Sequence, residues 1–284
     1  MQPWFLSHHM VTDWLQGIVP AWTALAPNSY EWRKFKPDSD GSVITVSEMA
    51  TSVMARNGLM FLQRLGTGEK LTAARNLRRV FVADIIDHLE WPGYDPQNPR
   101  QREGIVDERD CLPLHALRVF CENARLVRVY KGELRPTRAA LALLKADDVG
   151  KLNRLLFIAA CWKTNLAYFD YWSRVDFWPQ ENIGLILWCL SVTADTWQTA
   201  GTLTRLCAVP INEILDGPEY HDLGASMFAR RILHKLEWFG LIEVEAIPDD
   251  NLPGKMKQRY RKAAGFDAFL RFDVKIERPQ SPAH

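Results

Sequence analysis

Twelve residues near the carboxyl end, NLPGKMKQRYRK (251–262), hold five basic side chains and no acid. Lys255, Lys257, Arg259, Arg261 and Lys262 suit phosphate, because such cations displace the counterions condensed on a nucleic-acid backbone. A basic stretch precedes them, LGASMFARRILHKLEWFG (223–240), with Arg230, Arg231, His234 and Lys235. Side chains of a helix so charged enter a major groove while cations beyond it hold the backbone. These residues form the leading candidate nucleic-acid site, with duplex DNA the expected ligand. Arg230, Arg231 and Lys235 would approach bases, and the 255–262 cations would hold phosphates. The competing reading is a solvated charged hairpin or a protein-docking surface. Glu243 and Glu245 share one strand face, as do Arg259 and Arg261, and cross-strand ion pairs between them would contribute roughly 0.2–1 kcal/mol each. Across 221–262 there are eight Lys or Arg against six Asp or Glu.

A second set lies earlier. LPLHALRVFCENA (112–124) offers His115, Arg118, Glu122 and Asn123, and the next hairpin offers Arg128, Lys131 and Arg135. Arg75, Arg78 and Arg79 add charge, while Glu122 and Glu133 dilute it. Arg118, Arg128, Lys131 and Arg135 are the secondary nucleic-acid candidates, with a packing unit as the blander alternative.

Other chemistries find less support. His8-His9 has no Cys or carboxylate at metal-ligand spacing and reads as a polar pair. His88 and His115 follow helical spacing. Asp84, Asp87 and Glu90 lie on the polar face of an amphipathic stretch, where solvated carboxylates outnumber general acid–base groups. Gly66 and Gly68 in LGTGEK lack the preceding strand and following GK[ST] of a phosphate loop. No catalytic residue, metal ligand or cofactor is expected. The five cysteines (111, 121, 161, 189, 207) contain no CxxC pair and read as buried thiols of a reducing compartment. The start MQPWFLSHHMVTDWL lacks a basic region followed by an apolar one, and the longest apolar run, IGLILWCLSV (183–192), is half a membrane crossing. A cytoplasmic protein without membrane contact is expected, its partner either DNA or another protein; no residue pattern specifies an oligomeric state.

The elements that must carry these side chains are mainly helical. With 284 residues, 47% hydrophobic and a net charge of +1, the chain suits two ordinary domains bearing local basic patches. Residues 1–45 read as an arm with Trp4, Phe5, Trp14, Trp22 and Trp32 around a helix at 10–17. Helices are expected at 45–65 (capped by Ser47), 71–89 and 112–124. Leu126–Tyr130 and Leu134–Pro136 then form a hairpin turning at Lys131-Gly132-Glu133, and Thr137 caps a further helix. Pro136 implies that the return strand is an edge. The order repeats: helices at 181–197, 199–209 and 223–240 (stopped by Gly240), a strand at 241–247, a return strand at 255–262, and a short helix at 266–272. Three helices followed by a hairpin is the order of a winged helix.

The expected fold is therefore mainly α (α+β): two winged-helix-like units around a central buried helix, with an aromatic N-terminal arm. The divisions are 1–45, the arm; 46–150, the first unit; 151–180, the buried helix and connector; 181–276, the second unit; and 277–284, a flexible tail. The buried helix is KLNRLLFIAACWKTNLAYFDY (151–171), apolar nearly all round. Seven aromatics between Trp162 and Trp178 (with Tyr168, Phe169, Tyr171, Trp172 and Phe177) read as core, or else as a surface for unpaired bases or a protein.

Leu71, Thr72, Asn76, Leu77, Leu126, Val127, Arg128, Lys131, Gly132 and Thr137 together make a pattern. On these residues the segment from 68 to 144 resembles the helical tail of uncharacterised bacterial proteins known as open reading frames on plasmids. NLAYFD (165–170), LEWFGLIE (236–243) and FLRF (269–272) extend the resemblance to roughly 65–272. In that pattern glycine usually precedes Asn-Leu, where Arg75 stands here. The resemblance implies a bacterial, mobile-element setting and a winged-helix-like fold. A docking module or subunit of a larger mobile-element or defence complex is the alternative function.

Overall fold

The structure, a computed structural model, describes residues 34–49, 52–95, 97, 104, 107–170, 178–208, 220–249 and 254–274. The tryptophans of the arm, the helix expected at 10–17, His8-His9 and the 277–284 tail lie outside them. The described chain is a mainly helical α+β protein in two compact units. The first unit runs from Ser47 to Phe169 and includes Glu237–Gly240; the second comprises the described residues up to Val46, Asp170–Leu236 and Leu241 onward.

The second unit supplies the first strand, β1 (Ile44–Val46). In the first unit, α1 (Val53–Leu65) is capped by Ser52, whose Oγ accepts from Ala55 N at 2.9 Å and donates to buried Asn153. The cap expected at Ser47 thus stands five residues later, at Ser52, and β-branched Ile44, Thr45 and Val46, expected to open the helix region, are taken by a strand. The chain continues through β2 (Glu69–Lys70), α2 (Arg79–Ile86), α3 (Leu112–Asn123), β3 (Val127–Tyr130), β4 (Glu133–Pro136), α4 (Arg138–Ala146) and α5 (Val149–Ile158). The sheet order is β2-β4-β3, all antiparallel. The order in this unit is thus helix, short strand, two helices and a hairpin whose return strand takes the central place. Pro136 is therefore not on an edge strand. It fits because β2 ends at the Glu69–Leu134 pair, leaving no partner for a proline N–H there.

Residues 71–78 are not helical as expected. Leu71 bridges Leu77 across a tight turn in which Thr72 N donates to Asn76 O at 2.8 Å and Arg75 holds φ at +64°. Arg75 is where the resembled pattern has glycine, and the backbone keeps glycine's conformation. A left-handed non-glycine residue costs roughly 1–2 kcal/mol, and the Arg75 side chain is exposed. Arg75→Gly is expected to raise the urea midpoint, with a gain of up to about 1 kcal/mol after glycine's extra unfolded-state entropy, whereas Arg75→Val should lower it. The reverse ranking would refute the turn.

The 151–171 run is not one helix. α5 ends at Ile158, a π-helical turn occupies Ala159–Lys163, and a 3-10 turn follows at Leu166–Phe169. These elements, up to Phe169, belong to the first unit. α5 lies on α1 at Gly58, where an added Cβ would stand 2.7 Å from Leu156 Cδ1.

The second unit repeats the order with α6 (Ile183–Thr193), β5 (Gln198–Thr199), α7 (Ala200–Cys207), α8 (Tyr220–Phe228), a π-helical turn (Ala229–Leu233) and α9 (His234–Trp238), whose last two residues join the first unit. The hairpin of β6 (Ile242–Pro248) and β7 (Met256–Lys262) follows, again with the return strand central: β5-β7-β6. α6 is the helix buried on every side, from Ile183 through Leu190. The expected terminal helix is split into α10 (Phe266–Phe269) and β8 (Leu270–Phe272), which pairs antiparallel with β1. Among the described residues no helix is long and apolar enough to cross a membrane.

Candidate nucleic-acid interface

Groove reading by the third helix of either unit requires its charged side chains to be free, and they are committed. In the second unit Arg231 is 0% exposed; its Nε donates to Asp170 Oδ2 at 3.1 Å and its Nη1 to the Trp178 carbonyl. Lys235 is 2% exposed and donates to the Arg231 carbonyl at 3.1 Å. The expectation that these two approach bases is corrected by their burial: they are internal ion-pair and hydrogen-bond groups. Arg230 is partly exposed but also reaches Asp170 (3.2 Å) and Ser226 (2.7 Å). Burial lowers the His234 pKa from its ordinary value, outweighing its side-chain hydrogen bond with Gln258, which works to raise it.

In the first unit the third helix, α3, carries a hub absent from every sequence expectation. Glu108, from the proline-bearing loop, is 1% exposed and accepts from Leu77 N at 2.9 Å, from Arg118 Nη1, and pairs with His115 Nδ1 at 2.9 Å. Arg118 also donates to Glu122 at 3.0 Å and to the Arg75 carbonyl at 2.9 Å. Burial would raise the Glu108 pKa; the bonds from His115, Leu77 N and Arg118 outweigh it and hold the carboxyl below its ordinary value. Arg118 is thus a buried structural cation, not a phosphate ligand. The rest of the face meets its own chain: His115 Nε2 lies 3.2 Å from the Tyr168 hydroxyl, and Asn123 donates to Thr164 at 2.8 Å. Asp107 and Asp110 cap the turn that presents Glu108, a DxxD pattern around Glu108 that the sequence displayed.

The carboxylates and glycines resolve into structure. Asp84 pairs with Arg64, and Glu90 with Arg56 at 2.6 Å; Asp87 and His88 are exposed. Gly66 and Gly68 form the turn leaving α1. Trp162 packs against Phe157, Tyr168 against Phe169, and Trp178 is buried; Tyr171, Trp172 and Phe177 lie outside the described residues. All five cysteines are buried and unbridged, and no metal-ligating cluster occurs among the described residues.

The hairpins remain. In the second, Glu243 faces Arg261 and Glu245 faces Arg259, with ion pairs at 2.7 and 2.8 Å. Both guanidiniums also stand over Trp197, 4.6 Å away for Arg261 and 5.9 Å for Arg259. Lys262 is enclosed by Asp195 (2.9 Å), Asp267 (2.9 Å) and the Ser191 carbonyl (2.6 Å). Burial works to lower its pKa, and the Asp267 and Asp195 carboxylates outweigh it and raise it. Of the 255–262 cations, Lys255 is the one that is exposed, beside exposed Met256; Lys257 is half-buried. The five-cation clamp is therefore reduced to its tip.

The first hairpin is more open. Tyr130 pairs with Glu133 across a two-residue loop in which Lys131 (φ +50°) and Gly132 (φ +77°) are both left-handed, as such a turn demands. Strand alternation and register put Arg128, Tyr130, Arg135, Glu133 and Lys70 on one face, while Val127 and Leu134 are buried on the other. Arg135 bonds Glu133 at 2.6 and 2.9 Å. Neither Arg128 nor Lys131 has a carboxylate partner among the described residues, and both are exposed. Arg128 Cζ, Lys131 Nζ and Arg135 Cζ lie 5.6, 5.4 and 5.6 Å from the Tyr130 ring centre. The structure thus gathers three of the four secondary candidates around a tyrosine no motif singled out; its signal was the Arg-Val-Tyr alternation opposite Arg135.

Residues 50–149, most of the first unit, match the family described as the Y4jL N-terminal domain. No curated protein and no solved structure matches the chain.

Proposed function

We propose that this protein binds nucleic acid, without catalysing a reaction, by laying its first, winged-helix-like hairpin on the sugar–phosphate backbone. One observation carries the reading: the outward face of the first hairpin presents Lys70, Arg128, Lys131 and Arg135 against a single acid, Glu133. The balance there is cationic, while the second hairpin is nearly neutralised by its Glu–Arg ladder. Third-helix groove reading has no part in it. Phosphate contacts hold a strand without reading its sequence, so the expected binding is only weakly sequence-dependent.

The test is a titration of the full chain with fluorescent oligonucleotides across ionic strength. Three phosphate contacts give a slope of about −2 to −3 in log K against log salt, so fourfold more salt weakens binding roughly 15- to 60-fold. Arg128→Ala with Lys131→Ala should remove most of that slope. Arg259→Ala with Arg261→Ala should change it little, since each is matched by a carboxylate. Absence of binding at low salt, or a stoichiometric protein partner that covers the first hairpin, would replace this reading with a docking one.

A further inference from the structure

From the Tyr130 ring and its cations we infer that the first hairpin takes unpaired nucleotides: the ligand class is single-stranded nucleic acid, or a single-stranded overhang. The inference rests on the reading above and deepens it. Tyr130 is 45% exposed at the end of β3, on the cationic face and beside the left-handed Lys131-Gly132 loop. A half-exposed aromatic ring edged by guanidinium and ammonium groups offers a stacking surface with phosphate ligands beside it, the combination that non-specific single-strand binders use. Arg135 is fixed by Glu133, and its Cγ packs so close to Gly68 that a Cβ there would lie 2.7 Å away. Arg128 and Lys131 are left to follow the backbone on either side of a stacked base.

Duplex DNA fits this surface poorly. Its bases already stack on both faces, and opening a step to admit a ring costs a few kcal/mol. A duplex binder would recover that cost by seating a third helix in the major groove. Arg118 and His115 of α3, and Arg231 and Lys235 of the second unit, are held internally instead. What stays open suits a strand whose bases are free.

Three probes of equal length separate phosphate binding from stacking: a single strand, the same strand with abasic sites throughout, and a blunt duplex. The full chain should bind the base-bearing strand more tightly than either of the others. Tyr130→Ala should weaken binding to that strand roughly 5- to 150-fold and bring it level with the abasic one, while Tyr130→Phe should keep the preference. A base analogue that fluoresces when unstacked should be quenched by the wild type and not by Tyr130→Ala. Equal affinity for abasic and base-bearing strands, with Arg128→Ala still weakening both, would overturn the stacking and leave phosphate binding intact. No binding to any probe at low salt would overturn both.

Discussion

Replacing Gly184 by alanine is expected to destabilise the second unit by about 3 kcal/mol or more, the upper end for overpacking. A Cβ at that position would lie 1.8 Å from the Phe35 carbonyl oxygen and 2.8 Å from its carbon, both main-chain atoms. The obstacle cannot swing aside like a side chain. Phe35 is buried with its ring 6.1 Å from that of Trp188, and the adjacent Lys34 carbonyl accepts from Val43 N at 2.8 Å. α6 itself has no slack, since Ile183 through Leu190 are all buried. For a domain of this size each kcal/mol is worth roughly 2–4 °C, so the melting temperature should fall by about 6–12 °C. Gly201 is the control. It lies in α7 of the same unit, its nearest neighbour to an added Cβ is 3.9 Å away, and alanine there should be neutral or stabilise by about 0.5–1 kcal/mol. Equal melting of Gly184→Ala and Gly201→Ala would refute the close approach.

The hairpins were legible because their signals are local. Lys131-Gly132 between alternating strands, Gly240 after a helix, and Thr137 as a cap act within a few residues, and each stands in the expected place. Register was also legible in one case, as Glu243 and Glu245 meet Arg261 and Arg259. The two-residue strands β2 and β5 were not legible, since nothing marks Glu69-Lys70 or Gln198-Thr199 as strands until β4 and β7 arrive beside them. The β1–β8 pair joins Ile44 to Phe272 across most of the chain. The charged third helices misled for the same reason. Arg231 resembles a surface cation until Asp170, sixty-one positions away, is placed against it, and Arg118 until Glu108 is. Charge is visible in a sequence; its neutralisation by a distant partner is not.

Cutting that second pairing at its acid is expected to cost about 3–5 kcal/mol, the range for stranding one member of a buried ion pair. In Glu108→Ala, Arg118 would keep Glu122 and the Arg75 carbonyl, but its most buried contact, the Leu77 amide and the His115 ring would lose their partner together. Glu108→Gln retains an acceptor for Leu77 N and should fall between alanine and wild type. The pH dependence isolates the charge. The folded-state pKa of Glu108 is lowered from the ordinary 4.5, so its stabilisation is fully present above that value and disappears as pH falls through the folded one. Urea midpoints of wild type and Glu108→Ala should differ most at neutral pH and converge only below about pH 4.5. A gap constant with pH would mean that Glu108 acts by shape rather than charge. Because Leu77 closes the Arg75 turn and His115 and Arg118 lie on α3, proteolysis of Glu108→Ala should begin within residues 71–78. The Tyr130 hairpin, held by its own turn and by Leu134 in the core, should resist longer, so that loss of the hub and loss of nucleic-acid binding remain separate events.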